Sequence, residues 1–527
     1  NKKGDNMREN KKFMISILGV IALYIVTITT TAGITRDIGK NNTNIMVEQD
    51  INKQATDVNV VEKQEEQVLP LKEIKIPEKA PKKIFAYTIN IKTPIYAEPD
   101  GKIQKDSLKK AVKVEVLEEK IVETPKEIKI KKEDGTYETK TNIEKSYWRR
   151  ITYGKNNEIR EGWIRTGSLT EDIHKVIPSN LKNIDFTPVP KKEYVNNPRI
   201  DVKGIYLTVN TASSTKRMDE LIELAKRTGI NAFVIDVKED FGKMLFKTEA
   251  ELKYIGKNDK RYPINDIQAF IKKLKDNNIY AIARIVSFKD PTYAAKHPDK
   301  AIIKRATGKP FTNSDGVIWV SPHDRYLWEY NIAVAKEAAK VGFNEIQFDY
   351  VRFPASNGGK LDKELDYRNS TGESKPETIQ KYLKYARKEL EPLEVYISAD
   401  IYGQVPSSDD DMGLGQHWEV ISNEVDVISP MAYPSHYGRG VYGIPVPDAE
   451  PYKTIYHTTL DGINRNYNLT YPSQIRPWLQ AFTAKWVKGY IPYGKKEIEA
   501  QVKALEDLGI NQYLLWSPSN RYGIVEK

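Results

Sequence analysis

The chain has 527 residues, of which 39% are hydrophobic, 29% charged and 10% aromatic, a composition that suits several globular domains and excludes a wholly disordered or fibrous protein. It contains no cysteine, which excludes thiol nucleophiles, disulfide bonds and cysteine-bound zinc, so any chemistry uses oxygen and nitrogen groups. The formal charge of +10, the difference between 82 basic and 72 acidic residues, allows attraction to an anionic polymer.

An uncharged run of about 23 residues, 13–35, follows several lysines and an arginine near the start of the sequence. A run of this length can cross a membrane as a helix, and the preceding positive charge predicts that residues 1–12 stay cytoplasmic while the remainder lies outside. We therefore expect a membrane anchor with extracytoplasmic domains. A cleaved signal peptide is the main alternative, since Thr30-Thr31-Ala32 is a weak cleavage site, and cleavage would make the protein secreted. A buried core helix is the third alternative.

Residues 36–83 are predicted to be a disordered linker because they are rich in Asn, Gln, Glu and Lys and contain no aromatic residue. In residues 84–170, short runs of β-forming residues alternate with turn signals, which predicts a small all-β barrel. Residues 171–199 contain several prolines and are predicted to be a connector.

The end of this β region carries a resemblance. The runs WRRI at 148–151 and EGWI at 161–164 resemble the ending of bacterial SH3-like domains, in which a strand leads into a Gly-Trp-hydrophobic strand. The resemblance implies binding to cell-wall peptide or polysaccharide. A structural spacer is the alternative.

From residue 200 to 527, apolar runs alternate with helical stretches in eight units, which predicts a parallel (β/α)8 TIM barrel and an α/β chain overall. An open doubly wound sheet is the alternative, but it rarely holds eight strands in strict alternation. The predicted strands are KGIYLTV, NAFVIDV, YAIARIV, NEIQFDY, EVYISAD, VDVISPM, RPWLQAF and QYLLWSP.

Functional groups of a TIM barrel lie at the carboxyl ends of its strands, and acidic residues occur there. Asp349 and Asp400 end predicted strands four and five, and Asp236 and Glu239 lie at the end of strand two. Paired carboxyls supply what glycoside hydrolysis requires, namely a proton donor and a nucleophile or base. We predict that these four are catalytic, with Asp349 and Asp400 as the main pair. The alternative is that arginine neutralises them for structural reasons.

Other polar and aromatic side chains at the same strand ends are predicted to bind substrate. Aromatic rings offer flat faces on which sugar rings pack, although a barrel also buries aromatic residues in its core. The predicted substrate-binding residues are Arg284, Arg352, Tyr402, Tyr433, His436, Trp478, Gln480 and Trp516.

These residues also carry a family resemblance. The run EIQFDYVRFP at 345–354, with GIY at 204–206 and ISPMAYPSHY at 428–437, resembles a bacterial family of glycosyl hydrolase TIM barrels over about residues 200–525. More distantly, strand four is similar to that of chitinase-type glycosidases. However, the acid glutamate expected two residues after Asp349 is Val351, so the substrate-assisted chitinase mechanism does not carry over, and Asp349 needs another partner such as Asp400.

The sequence thus favours an extracytoplasmic glycoside hydrolase that acts on a cell-wall or surface polysaccharide, such as a peptidoglycan-type glycan. The alternative is a noncatalytic carbohydrate-binding or wall-organising protein. No metal site, cofactor or nucleic-acid partner is predicted, because the six histidines are scattered, phosphate-binding motifs are absent and the basic runs alternate with acidic or aliphatic residues.

Overall fold

A computed structural model describes residues 83–256, 261–356 and 359–525. The predicted cytoplasmic N-terminus, membrane segment and linker, residues 1–83, lie outside these ranges except for Lys83. In the described ranges, no helix is both long and apolar enough to span a membrane. The described residues from Ile84 onward belong to one compact unit.

The N-terminal module is a seven-stranded antiparallel sheet with the strand order β3-β2-β6-β5-β4-β1-β7. Side chains that alternate along the strands form its small apolar core, which includes Ile95, Val114, Ile151 and Ile164. The strands are β1 (Ile84–Thr88), β2 (Thr93–Tyr96), β3 (Gln104–Leu108), β4 (Lys113–Lys131), β5 (Tyr137–Lys155), β6 (Glu158–Arg165) and β7 (Leu169–Thr170).

Strands β4 and β5 are 19 residues each and form a hairpin much longer than the sequence runs predicted. Its turn contains the predicted signal Asp134-Gly135, where Gly135 has a φ of 86° and the Asp134 carboxylate accepts the Thr136 N–H at 2.9 Å. The half of the hairpin near the turn is exposed on both strands, including Ile128 and Ile143. The basic run in β4 therefore lies on a solvated strand, as the alternation of its charges predicted.

The remainder of the unit is a closed barrel of eight parallel strands, which confirms the predicted TIM barrel. Pairing of β14 with β15 closes the sheet. The seventh strand is interrupted at Pro477, which lacks an N–H to donate, so it appears as two short segments. The barrel strands are β8 (Lys203–Leu207), β9 (Ala232–Lys238), β10 (Tyr280–Val286), β12 (Glu345–Asp349), β14 (Tyr396–Tyr402), β15 (Val427–Met431), the pair β16 (Gln474–Ile475) and β17 (Trp478–Gln480), and β18 (Tyr513–Trp516).

Helices cover the outside of the barrel and present apolar faces to it. Gly229 ends one helix with a φ of 73°, and Ser374 with Glu377 forms a capping box at the start of another. A short antiparallel pair, β11 (Ile303–Lys304) and β13 (Leu365–Asp366), lies in the loops. The α-helices in the described ranges are α1 (Val209–Ala212), α2 (Thr215–Thr228), α3 (Glu249–Ile255), α4 (Ile267–Asp276), α5 (Pro291–Lys296), α6 (Arg325–Val341), α7 (Lys360–Glu364), α8 (Lys375–Leu390), α9 (Trp418–Glu424), α10 (Pro451–Asn466) and α11 (Lys495–Glu506).

The Pro-rich connector is packed along the outside of the barrel. Leu181 and Ile184 form an apolar cluster with Val420 of α9. The Asp185 N–H donates to the side-chain oxygen of Gln380 at 3.0 Å, and the Gln380 amide donates back to the Asp185 carbonyl at 2.7 Å. These contacts fix the path of the chain between the module and the barrel.

The module also contacts the barrel directly. The backbone N–H groups of Lys113 and Asn156 donate to the side-chain oxygens of Asn468 and Asn464 at 3.0 and 2.7 Å. A cavity of about 1150 Å³ lies between the two parts and is lined by the module, the connector and the outer helices of the barrel. None of the twelve predicted site residues lines this cavity, so it is separate from the strand ends where the predicted chemistry lies.

Candidate active site

A buried arginine joins three acidic side chains at the carboxyl ends of adjacent strands. Arg284 of β10 donates from Nη1 to Asp236 of β9 at 2.6 Å, and from Nε and Nη2 to Oδ2 of Asp349 of β12 at 2.9 and 2.6 Å. Its Nη2 also donates to Asp240 at 3.1 Å. The Arg284 side chain is only 3% exposed. We call Arg284, Asp236, Asp240 and Asp349 the Arg284 cluster. Its contacts correspond to the alternative given above, in which arginine neutralises acidic residues at the strand ends.

Charge and burial balance each other inside the Arg284 cluster. Burial raises the pKa of Asp236, and the Arg284 charge and the 2.6 Å hydrogen bond from the Tyr206 hydroxyl oppose that rise. Burial also disfavours the charged form of Arg284, but the neighbouring carboxylates outweigh it and hold the Arg284 pKa well above its usual value. Arg284 is therefore a fixed cation whose hydrogen-bonding groups are occupied by protein carboxylates, so it is not free to bind substrate as predicted.

Asp400 lies beside Asp349 but has a different electrostatic environment. The register pairs Phe348 with Ala399, which places Asp349 and Asp400 level with each other on adjacent strands. Asp400 is 1% exposed and accepts the Trp478 indole N–H at 2.7 Å. No basic side chain in the described ranges forms an ion pair with it. Burial, followed by the negative charge of Asp349, raises the Asp400 pKa well above its usual value, so Asp400 holds its proton more strongly than an ordinary aspartic acid.

Glu239 is a second acid with a raised pKa at the mouth of the barrel. Its Oε1 accepts the backbone N–H groups of Phe241 and Lys243, each at 3.0 Å, in the turn that follows β9. Burial raises the Glu239 pKa to about 7, and the bond from Lys243 only partly opposes this rise. Since its side chain is half-buried, Glu239 has access to solvent and is partly protonated near neutral pH.

Arg352 follows Asp349 by three residues and lies against aromatic rings. Its guanidinium carbon is 5.0 Å from the centre of the Trp319 ring and 5.3 Å from that of Tyr350. Tyr350 has a φ of 49°, an uncommon backbone conformation for an aromatic residue and one that recurs at functional sites. The Lys289 ammonium lies 4.6 Å from the centre of the Tyr350 ring and pairs with Asp315 at 2.7 Å.

Most of the predicted aromatic platform is packed inside the barrel. Tyr206 and Trp516 stack at 4.0 Å with an angle of 18° between their rings, and Trp478 meets Trp516 edge-on at 5.7 Å. Trp478 is 1% exposed, so it holds Asp400 and offers no free face to a sugar. Tyr433 is also buried. Tyr433, Trp478 and Trp516 thus lie close together, and they mainly pack around the carboxyls.

A more accessible aromatic pair follows strand seven. Trp486 is 44% exposed and stacks on Phe482 at 6.0 Å with an angle of 21°. Phe482 in turn lies 6.0 Å from Tyr433, which connects the pair to the barrel interior. The sequence reasoning missed Trp486, although a tryptophan four residues beyond a strand-end phenylalanine in a loop was an available signal.

The remaining predicted residues have local structural partners. The buried Gln480 amide donates to Asp448 at 2.9 Å and its oxygen accepts the Ser435 N–H at 3.0 Å, so its groups are already used. The His436 ring lies 3.0 Å from the Ser435 hydroxyl, and burial lowers its pKa to about 4, which keeps it neutral. Tyr402 is half-buried at the end of β14. Among the described residues, no group of three or more His, Asp or Glu side chains is arranged to hold a metal ion.

Comparison with known proteins places this barrel among glycosidase-like domains. Residues 204–522 match the family described as "Putative glycosyl hydrolase domain". A solved hypothetical protein from Ruminiclostridium thermocellum is 34% identical over 40% of this chain and 98% of its own, with a TM-score of 0.33. The PgaB (BpsB) glycoside hydrolase domain from Bordetella bronchiseptica is 12% identical over 60% of this chain and 94% of its own, with a TM-score of 0.44. No curated protein matches the chain.

The raised pKa of Glu239 predicts a pH-dependent stability. Its ordinary value is 4.5 and its folded value about 7, so between these pH values the folded protein holds a proton that the unfolded chain has released. The stability that this proton contributes is therefore lost as pH rises from about 4.5 through about 7. Glu239→Gln keeps an oxygen that can accept the N–H groups of Phe241 and Lys243, but it removes the titratable group. We expect the variant to melt a few degrees above wild type at pH 8 and to lose that advantage at pH 5.

Thermal melts at both pH values measure this difference. Glu133→Gln, in the exposed hairpin turn, is the control and should change the melting temperature equally at both. A melting difference for Glu239→Gln that does not vary with pH would show that Glu239 is ionised throughout.

Proposed function

Because the chain belongs to the glycosyl hydrolase family matched by residues 204–522, we propose that it is a glycoside hydrolase whose barrel mouth cleaves a cell-wall or surface polysaccharide. The observation that carries this proposal is the contrast between two adjacent carboxyls. Asp349 is paired with Arg284, while Asp400 has no cationic partner in the described part of the chain and has a raised pKa, which favours its protonated form. Glycoside hydrolysis needs one carboxyl in each of these two states.

The two carboxyls then have distinct roles. Asp400 donates its proton to the glycosidic oxygen as the bond from that oxygen to the anomeric carbon breaks. Asp349, whose side chain is 10% exposed, either attacks the anomeric carbon or removes a proton from the attacking water. Arg284 keeps Asp349 oriented. If Asp349 attacks, water then cleaves the glycosyl ester and gives its proton to Asp400; if Asp349 takes a proton from water instead, Asp349 releases a proton to solvent and Asp400 takes one up from it. Trp486 and Phe482 supply the exposed ring faces on which the sugar chain packs.

One observation favours a second candidate function, noncatalytic carbohydrate binding. Arg284 neutralises both Asp236 and Asp349, and carboxylates engaged in this way position a ligand without reacting with it. The cavity between the module and the barrel, with Lys109 and Lys110 in its lining, offers a further surface for a wall polymer. In this alternative, the chain binds the same glycans but releases no fragments.

The location that we propose for this activity is outside the cytoplasmic membrane. Its support is the uncharged run at residues 13–35, preceded by basic residues, which either anchors the chain or is cleaved on export. A barrel outside the membrane is within reach of an added protease. Protease treatment of intact cells should therefore cut the barrel, and complete protection of the barrel, with a cytoplasmic control protein also intact, would contradict this location.

Substitution of the two carboxyls tests the proposed mechanism. Asp349→Asn and Asp400→Asn should each lower the release of glycan fragments by about two to four orders of magnitude, since each removes a reacting group. Asp400→Asn should retain the melting temperature, because Asn resembles the neutral acid in shape and hydrogen bonding. The measurement is fragment release from purified cell walls and exopolysaccharide by the full chain.

Glu424→Gln is the matched control, since Glu424 is a buried acid with a raised pKa at the end of α9, away from the carboxyl ends of the strands. It should leave fragment release unchanged. Full activity of folded Asp400→Asn together with loss of activity in Glu239→Gln would transfer the acid role to Glu239. Wall binding by wild type without any fragment release would support the noncatalytic alternative.

A further inference from the structure

The cationic side chains around the barrel mouth are not equally compensated. Lys238 pairs with Asp290 at 2.6 Å, Lys289 with Asp315 at 2.7 Å, and Arg284 with its three carboxylates. Arg352 differs, because among the described residues no carboxylate oxygen lies within 4.0 Å of its guanidinium. Arg352 therefore carries a charge that no carboxylate in the described ranges neutralises by direct contact.

The surroundings of Arg352 leave most of its hydrogen-bonding capacity unused. A guanidinium has five N–H donors, and in the described part of the chain Arg352 makes one hydrogen bond, from Nη1 to the carbonyl of Phe353 at 3.0 Å. Burial lowers its pKa, and the nearby Tyr350 and Asp349 only partly oppose this effect. Arginine nevertheless remains charged in proteins. The side chain is a half-buried cation with free donors beside the proposed catalytic carboxyls.

The shape of the site indicates what kind of group would use these donors. A planar guanidinium with free N–H groups matches the two oxygens of a carboxylate or phosphate, which it can bind through two parallel hydrogen bonds. The rings of Trp319 and Tyr350 lie against it and restrict how its plane can turn. The negative charges of Asp349 and Asp315 would oppose an anion, so its hydrogen bonds with the guanidinium must outweigh that repulsion.

We infer that Arg352 binds an acidic substituent of the glycan, so that the substrate is an anionic polysaccharide with a carboxylate or phosphate on a sugar next to the cleaved bond. This inference rests on the glycan-cleaving function proposed above and adds the chemical class of the substrate. It also gives the site a preference that the Arg284 cluster cannot supply, because the cluster's positive charge is already used by protein carboxylates.

Binding calorimetry with the full chain tests this inference separately from catalysis. The probes are a uronic-acid oligosaccharide, its carboxyl-reduced neutral counterpart and a phosphorylated oligosaccharide of equal length. Wild type should bind at least one acidic probe at least about 10-fold more tightly than the neutral one, as a charge-assisted hydrogen bond allows. Arg352→Gln should weaken binding of that probe by about 10- to 100-fold and leave the neutral probe unchanged. The preferred acidic probe shows whether the group is a carboxylate or a phosphate.

The matched control is Arg165→Gln in the N-terminal module. Arg165 also lies over an aromatic ring, 4.1 Å from the centre of Trp148, so its substitution removes the same charge and the same type of contact away from the mouth. If Arg352→Gln does not fold, Arg352→Lys replaces it. Lysine keeps the positive charge but lacks the paired N–H donors of the guanidinium, so the preference for the acidic probe should fall partly. Equal binding of acidic and neutral probes by wild type, no binding of any probe, or an equal loss in the Arg165 variant would overturn the inference.

The outcomes also separate this inference from the proposed function. Selective binding of an acidic probe that depends on Arg352, without cleavage of any acidic glycan, would support the inference and contradict hydrolysis. Cleavage of neutral glycans with no preference for acidic ones would support hydrolysis and contradict the inference.

Discussion

The pairing of Arg284 with carboxylates from neighbouring strands is the interaction on which the geometry of the barrel mouth depends. Its guanidinium is buried, as are Asp236 and Asp349, and removing such charges from water costs several kcal/mol per ion unless they are paired. Parallel pairing of β9, β10 and β12 brings the three side chains together at the strand ends. Charge pairing and strand register thus support each other, and together they hold Asp349 in one orientation.

This pairing also creates the contrast with Asp400. Deeper in the barrel, the buried Glu345 is likewise matched by a cation, Arg476, so buried charge in the barrel is generally compensated. In the described part of the chain, the Asp400 carboxyl accepts a hydrogen bond only from the Trp478 N–H, and burial, followed by the negative charge of Asp349, disfavours its ionisation. The two adjacent carboxyls therefore have different partners: Asp349 is paired with the Arg284 cation, and Asp400 lies in an environment that favours its protonated form.

Sequence patterns predicted the barrel and the positions of its carboxyls, but not the partners of those carboxyls. Each strand is a short apolar run, and Asp349 and Asp400 were conspicuous because each ends or interrupts one. Strand periodicity does not reveal which residue faces a carboxyl across the barrel. The sequence therefore predicted that Trp478 binds a sugar ring, whereas the structure shows that it donates a hydrogen bond to Asp400. Asp240 and Trp486 lie in loops, whose conformation depends on turn geometry and tertiary packing that apolar periodicity does not encode.

The central claim, proposed above, is that Asp400, whose pKa is raised, acts in its protonated form, while its neighbour Asp349 acts as the carboxylate paired with Arg284. Infrared spectroscopy of protein with isotope-labelled aspartate carboxyls measures this directly, because protonated and ionised carboxyls absorb at different frequencies. In difference spectra against wild type at neutral pH, Asp400→Asn should lose a protonated-carboxyl band and Asp349→Asn an ionised-carboxylate band. Loss of an ionised band in the Asp400 variant, or of a protonated band in the Asp349 variant, would contradict the account.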